Sequence, residues 1–264
     1  MLVMRLAHIS DLHFGRRVNG GFLRSFREDL LSQVPELLVI TGDITDRGRL
    51  SQFRWARVFL DSLQVPFIAV PGNREVAISS FWEWMVPRLA MKRYARFFGD
   101  SDRIVHCCEE SRVALFGLNS VHSFPSWPGS VARETRYWLK EEAARLADYR
   151  KILFLHHPVI PVIRGSSFWA HFLSDAGEIL NICSAMGFVL ILQGHKHRSL
   201  VVELRVPERE ANIVVSAAGA PLMMRWDAAY HVIDILDSQM IVKPREYLDG
   251  RFREKGAYRF SLSG

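Results

Sequence analysis

The sequence predicts an α/β protein built as a four-layer sandwich, with two mixed β-sheets face to face and helices outside. Three observations predict it. Short runs rich in Val, Ile and Leu recur over roughly the first three quarters of the chain and read as buried strands. Stretches with apolar residues at helical spacing lie between several of them. Beyond residue 198, strand patterns follow one another with polar turns and no helix, so an α/β part passes into a mostly β end.

In order, strands are expected at 5–10 (RLAHIS), 37–43 (LLVITGD) and 66–73 (PFIAVPGN). Between the last two, residues 50–64 place Phe53, Ala56, Phe59, Leu60 and Leu63 on one helical stripe. Residues 79–100 join aromatics to Arg88, Lys92, Arg93 and Arg96. This stretch reads as a helical pair broken near Pro87 and packed beside the site. A basic membrane-interface surface is the weaker reading, because Trp82, Met91 and Phe97 are scattered around the wheel. Strands follow at 113–120, 151–157 and 188–195, with helices at 134–149 and 175–187, the second ending on a capping Gly187. The last strands are 199–206, 211–219, 229–236 and 240–248. No repeat or linker interrupts them, and the expectation is one domain over 1–264.

Composition bounds the function. A chain that is 49% hydrophobic and 23% charged excludes wholesale disorder. The net charge of +6 draws anions: phosphorylated substrates, nucleic acid or acidic lipid. Nucleic acid is disfavoured, since no separate basic domain or aromatic–basic recognition motif is present. Three cysteines, two of them adjacent at Cys107 and Cys108, fit a reducing compartment. The N-terminal apolar run is too short for a signal peptide, and no stretch approaches the ~20 apolar residues that cross a bilayer. A cytoplasmic protein is expected, with peripheral contact at the inner membrane face left open. The pattern says nothing about oligomeric state.

Potential ligands gather at the carboxyl ends of the expected strands: Asp11 and His13 in SDLHFG, Asp43 in TGDITDRG, Asn73 in PGNRE, His156 and His157 in LHHP, His195 and His197 in QGHKH. Loops converge at such ends in α/β sheets. Imidazole, carboxylate and amide oxygen without thiolate suit Mn, Fe or Zn. The D-x-H and H-x-H spacings are expected to place alternate side chains on one side of an extended segment, facing one ion. The set exceeds what one tetrahedral ion needs and suits two ions sharing a carboxylate.

The ordered set D-x-H, G-D, G-N, H-x-P, G-H-x-H resembles the calcineurin-like metallophosphoesterases, from residue 5 to about residue 235. HISDLHFG, GDITDRG and VPGN resemble the branch that contains bacterial cyclic-nucleotide phosphodiesterases. The resemblance implies two stacked sheets flanked by helices and a two-metal centre, with manganese favoured. Asp11, His13 and His197 would hold one metal and Asn73, His156 and His195 the other, with Asp43 bridging. His156 matches better than His157 because it lies two residues before Pro158. In such a centre a hydroxide bridging the metals attacks phosphorus.

Blander readings stand beside these. His8 reads as a satisfied core histidine, and His106, His122, His171 and His231 as surface or packing residues. His157 is a structural residue or a substrate contact, and Asp46 is expected to fix a turn. Arg16 and Arg17, with Arg24 and Arg27, either hold a substrate phosphate or form a solvated basic face.

Arg74 departs from the pattern, which has histidine after Gly-Asn. A guanidinium cannot give up a proton at physiological pH, but its planar fork suits phosphate oxygens. An alkoxide leaving group benefits from a general acid, whereas phosphate departs as an anion that Arg74 can stabilise. The UDP-diacylglucosamine pyrophosphatases of lipid A synthesis, in the same superfamily, carry Gly-Asn-Arg at this motif. Three functions result: hydrolysis of a phosphoanhydride, such as a UDP-linked lipid or sugar, with Arg74, Asp43 and Asn73 as catalytic residues; hydrolysis of a cyclic-nucleotide or other phosphodiester; or binding of a phosphorylated ligand without catalysis. The last is disfavoured because every candidate ligand is in place.

Overall fold

The computed structural model describes residues 2–16, 20–76, 88–99, 102–121, 128–161, 173–205, 212–223 and 227–262. In the first sheet, β1 (Leu2–Ile9), β2 (Leu37–Thr41) and β3 (Phe67–Val70) run parallel. On the other side of β1 lie β10 (Ala229–Leu236), β11 (Gln239–Leu248) and β12 (Arg251–Glu254), all antiparallel to their neighbours, and β13 (Tyr258–Ser261) also pairs with β11.

The second sheet has β4 (Arg103–Cys108), β5 (Val113–Leu118), β6 (Arg150–Phe154) and β7 (Phe188–Gln193) in succession, then β9 (Ile213–Ala217) and, at its edge, β8 (Leu200–Leu204). Its middle strands are parallel, while β4 and β8 pair antiparallel at the two edges. Strands β4 to β9 therefore form one continuous stretch of chain inserted between the two parts of the first sheet.

Period-two alternation sorts each strand between layers. In β1, Met4 and Leu6 enter the core between the sheets, with Val39, Leu115, Phe154, Leu192 and Ile233. Ala7 and Ile9 face the opposite way, into a core shared with α1 (Gly20–Ser32) and α2 (Leu50–Ser62). Tyr94 of α3 (Arg88–Phe98) belongs to the same outer core. The outer face of the second sheet packs on α4 (Arg133–Arg145) and α5 (Ala176–Met186) through Leu139, Ile179 and Cys183. The layers are thus helices, sheet, sheet, helices, as expected.

The expected strand at 229–236 is β10, and Gly187 ends α5 in the left-handed conformation at φ 71°. Of the 79–100 stretch, residues 79–87 and residue 100 lie outside the described residues. Its remainder, α3, packs against α2, with the Phe53 and Phe97 rings stacked 5.5 Å apart. Four elements had no counterpart in the sequence reading: α1, β4, β12 and β13. Helix α1 opens on two glycines, which are poor helix formers, and is carried by tertiary packing of Phe22 and Phe26 on Phe252. Among the described residues no helix is long and apolar enough to cross a membrane.

Candidate metal centre

The carboxyl ends of β1, β2, β3, β6 and β7 meet at one rim of the sandwich. There the chain adopts conformations that L-residues seldom take. Asp11, His13, Asp43, His195 and His197 have φ of 54°, 50°, 49°, 72° and 52°. Five candidate ligands thus sit in the left-handed region, at a cost on the order of 1–3 kcal/mol each. The two spaced pairs are therefore not extended, contrary to expectation. Each side chain is turned inward by its own left-handed residue, not by strand alternation. Gly42, at φ 88°, permits the approach: a Cβ there would lie 2.7 Å from His156 Nδ1 and from the Gly72 backbone.

Two groups of atoms converge. In the first, His13 Nε2 and His197 Nε2 are 2.9 Å apart, and His197 Nε2 lies 3.1 Å from Asp11 Oδ1. Ligand atoms of Asp11, His13, Asp43 and His197 all fall within 4.8 Å of one another. In the second, Asn73 Oδ1, His156 Nε2 and His195 Nδ1 are mutually 3.0 Å apart. Asp43 faces both groups, with Oδ2 3.8 Å from His13 Nε2 and Oδ1 3.6 Å from His156 Nε2.

Donor chemistry tests whether cations fit. His156 Nδ1 lies 2.7 Å from the Thr41 carbonyl, which can only accept, so Nδ1 carries the hydrogen. Burial lowers the His156 pKa, and the neutral ring then turns a lone pair on Nε2 toward Asn73 Oδ1. Two acceptors facing each other are satisfied by a cation between them, and atoms sharing one ion lie roughly 3 Å apart.

Charge agrees. Burial would raise Asp11, but the imidazoles of His197, His156 and His13 hold it below the usual carboxylate range. Burial, and then the Asp11 charge, push Asp43 up to about 8. Two carboxylates in one dry pocket stay ionised together only with a counter-charge, which is what a divalent ion supplies. Burial also drives His13 down to about 3, the unprotonated state a ligand needs, whereas contact with Asp11 outweighs burial and raises His197.

Hydrogen bonds hold the ligands from behind. The Ser10 hydroxyl donates to Asp11 Oδ2 at 2.6 Å, and the His195 N–H donates to the same oxygen at 2.9 Å. The Arg74 N–H donates to Asp43 Oδ1 at 2.8 Å. Glu75, fully buried, accepts from Thr45 N–H and Oγ1 and from Gly72 N–H, tying the Asp43 loop to the Asn73 loop. Burial and the Asp43 charge push Glu75 up to about 8, yet its three hydrogen bonds among the described residues all come from donors and call for the carboxylate, which a nearby cation would favour. Glu75 is a functional residue that the sequence motifs did not single out. Its distance of two residues from Asn73 was the available signal.

The remaining candidates are dispersed. His157 is fully buried, its ring 4.8 Å from that of His195, with Nδ1 3.0 Å from the Ser120 hydroxyl, which also accepts from the His157 N–H. Arg16 is held by Asp46, Nε to Oδ1 at 2.5 Å, and its Nη1 reaches Met223 Sδ. Asp46 is thus an ion-pair partner of Arg16 through its side chain, where a turn had been expected. Arg17, His122 and His171 lie outside the described residues. His8 and His231 are buried, with both ring nitrogens of each hydrogen-bonded.

The calcineurin-like phosphoesterase family model matches residues 4–199, a span that contains every candidate ligand. The chain belongs to that family. This phosphoesterase is 27% identical to a glycerophosphodiester phosphodiesterase of Enterobacter lignolyticus, over 76% of the chain and 74% of that protein. It is 29% identical to a cAMP/cGMP dual specificity phosphodiesterase of Mycobacterium tuberculosis, over 74% and 62%. A UDP-2,3-diacylglucosamine pyrophosphatase of Chlamydia muridarum matches at 33%, over 28% of the chain and 23% of that protein. Curated relatives are matched over unequal spans, and the chain covers 45% of a probable glycerophosphodiester phosphodiesterase of Arcobacter nitrofigilis. A dimetal phosphatase of Danio rerio shares the fold, with a TM-score of 0.70 at 13% identity, each chain being covered in full.

Proposed function

We propose that this phosphoesterase binds two divalent ions, manganese favoured, and hydrolyses a phosphoanhydride, with a UDP-linked lipid or sugar such as UDP-diacylglucosamine as the substrate class. Arg74 carries the reading. Its side chain is 41% exposed at the rim, with Nε 3.9 Å from Asp43 Oδ2. It stands beside the candidate centre as a fixed cation with no proton to give.

Asp11, His13 and His197 would hold one ion, Asn73, His156 and His195 the other, with Asp43 between them. When bound, such ions would neutralise phosphoryl charge and bring the pKa of water down toward neutrality. The chain's own part is positional. Asp43 is fixed by the Arg74 N–H, leaving the guanidinium to take an anionic leaving phosphate. The pyrophosphatase relative supports this chemistry, and a cytoplasmic setting with peripheral contact at the inner membrane face fits that substrate.

The second reading is a phosphodiester. It rests on the diesterase relatives, which align over about three quarters of the chain. One assay separates the two: manganese-loaded protein on a UDP-linked pyrophosphate, cyclic AMP and a glycerophosphodiester. Preference for the pyrophosphate supports the role of Arg74. Preference for a diester overturns it. Silence on all three, with metal bound, favours a phosphate-binding role without catalysis.

A further inference from the structure

Behind the candidate centre, between the two sheets, runs a line of buried polar side chains that the reaction does not use. Thr41 Oγ1 lies 3.0 Å from His8 Nε2, and His8 Nδ1 lies 3.1 Å from Ser216 Oγ. Ser216 Oγ is 2.7 Å from His231 Nδ1, whose Nε2 is 2.9 Å from Ser199 Oγ. Thr41, His8, Ser216 and His231 have no exposed surface. His8 and His231 face each other across β1 and β10, Ser216 comes from β9 of the other sheet, and Thr41 ends β2.

Counting hydrogens shows that the line is directional. Ser216 has a single hydroxyl hydrogen and faces a ring nitrogen on each side, so it donates to one ring and accepts from the other. If Thr41 donates to His8 Nε2, then His8 Nδ1–H donates to Ser216, Ser216 to His231 Nδ1, and His231 Nε2–H to Ser199. The reverse orientation runs from Ser199 to Thr41. Either way the two neutral imidazoles are opposite tautomers. Burial keeps both neutral, with His231 driven down to about 3 and His8 lowered further by its neighbour.

Each end abuts a candidate ligand. The Thr41 carbonyl accepts from His156 Nδ1 at 2.7 Å, with the Ser10 hydroxyl 3.2 Å away. Ser199 is two residues from His197, and its N–H donates to Asp227 Oδ2, while the Asp227 N–H donates to the His197 carbonyl. The line therefore joins the β2 end that orients His156 to the loop that carries His197, across the gap between the sheets.

We propose that the His8–Ser216–His231 line is a positioning relay, setting the first sheet's Thr41 carbonyl behind His156 and the Ser199 loop behind His197 so that these two ligands of the second sheet keep register with the first. It rests on the metal-centre reading above. The test is manganese affinity by titration calorimetry in the whole chain, beside thermal unfolding of the metal-free protein. Ser216→Ala, which cuts the line at a residue hydrogen-bonded to His8 and His231 and not itself a candidate ligand, is expected to weaken manganese binding about 10–100-fold, as loss of groups behind metal ligands does, and Ser216→Thr to retain most of it. If Ser216→Ala does not fold, Ser199→Ala at the half-exposed end decides by the same measurement. Parent-like manganese affinity in the folded variant overturns the relay, even if the melting temperature falls, since destabilisation alone is what a merely structural role predicts. A parent chain that bound no manganese would instead overturn the metal centre itself, and the relay with it.

Discussion

Asp43 and His195 meet the candidate centre from different sheets, Asp43 facing both groups and His195 one of them, and removal of either side chain leaves the centre incomplete. Asp43→Ala or His195→Ala is expected to lower hydrolysis by about 100-fold or more, since even groups behind metal ligands are worth 10–100-fold. A steady-state assay that found full activity in either variant would show the centre to be misplaced. Arg74→Ala is expected to slow cleavage of the UDP-linked pyrophosphate, and Arg74→His to raise hydrolysis of an aryl diester by restoring a proton donor. An Arg74→Ala protein with parent-like rates on both would remove the basis of the phosphoanhydride reading. At this scale the identities of the converging residues were legible from motif order, but their conformations were not. The sequence implied alternation along extended segments, whereas Asp11, His13, His195 and His197 are each left-handed. That choice is imposed by the packed rim, to which a local pattern is blind.

At the scale of elements, Glu75 links the loops after β2 and β3. Glu75→Ala would strand the Thr45 and Gly72 N–H groups in a dry interior, at about 1–3 kcal/mol for each unsatisfied donor. The expected result is a lower melting temperature together with weaker manganese binding. Glu75→Gln should recover little, because its NH₂ faces a backbone N–H whichever way the amide turns. Parent-like melting of Glu75→Ala would exclude the clamp. Strands with both faces largely buried, such as β2, β5 and β7, were legible because each is a nearly continuous apolar run. Strand β4 was not: it is a half-exposed edge whose RIVHCC pattern carries little periodicity. Helix α1 was hidden by its opening glycines, and only contact with β12 and its neighbours reveals why it forms.

For the whole molecule, His8 and His231 set an acid limit. Both are buried neutral with pKa values below the ordinary 6.5, His231 at about 3, so the unfolded chain binds more protons than the folded one between those values. Their contribution to stability is therefore fully present above about pH 6.5 and is lost as pH drops below it. The urea midpoint should fall from pH 7.5 to pH 5, and fall less in His231→Gln; equal falls would exclude this origin. Chelation should also matter. At 100 times its Kd a bound ion adds ~2.7 kcal/mol, so removing it should lower the melting temperature by roughly 5–10 °C. An unchanged melting curve after treatment with EDTA would argue against an ion that supports the fold. The two-sheet architecture was legible from the alternation of strand and helix patterns, whereas the sheet that each late strand joins was not, because β8, β9 and β10 look alike in sequence. Four of the converging side chains belong to the first sheet and three to the inserted one, and neither sheet alone completes either half. An ion seated there would act as a non-covalent cross-link between two layers held in separate ladders, so its exchange rate would measure how often the layers slide apart.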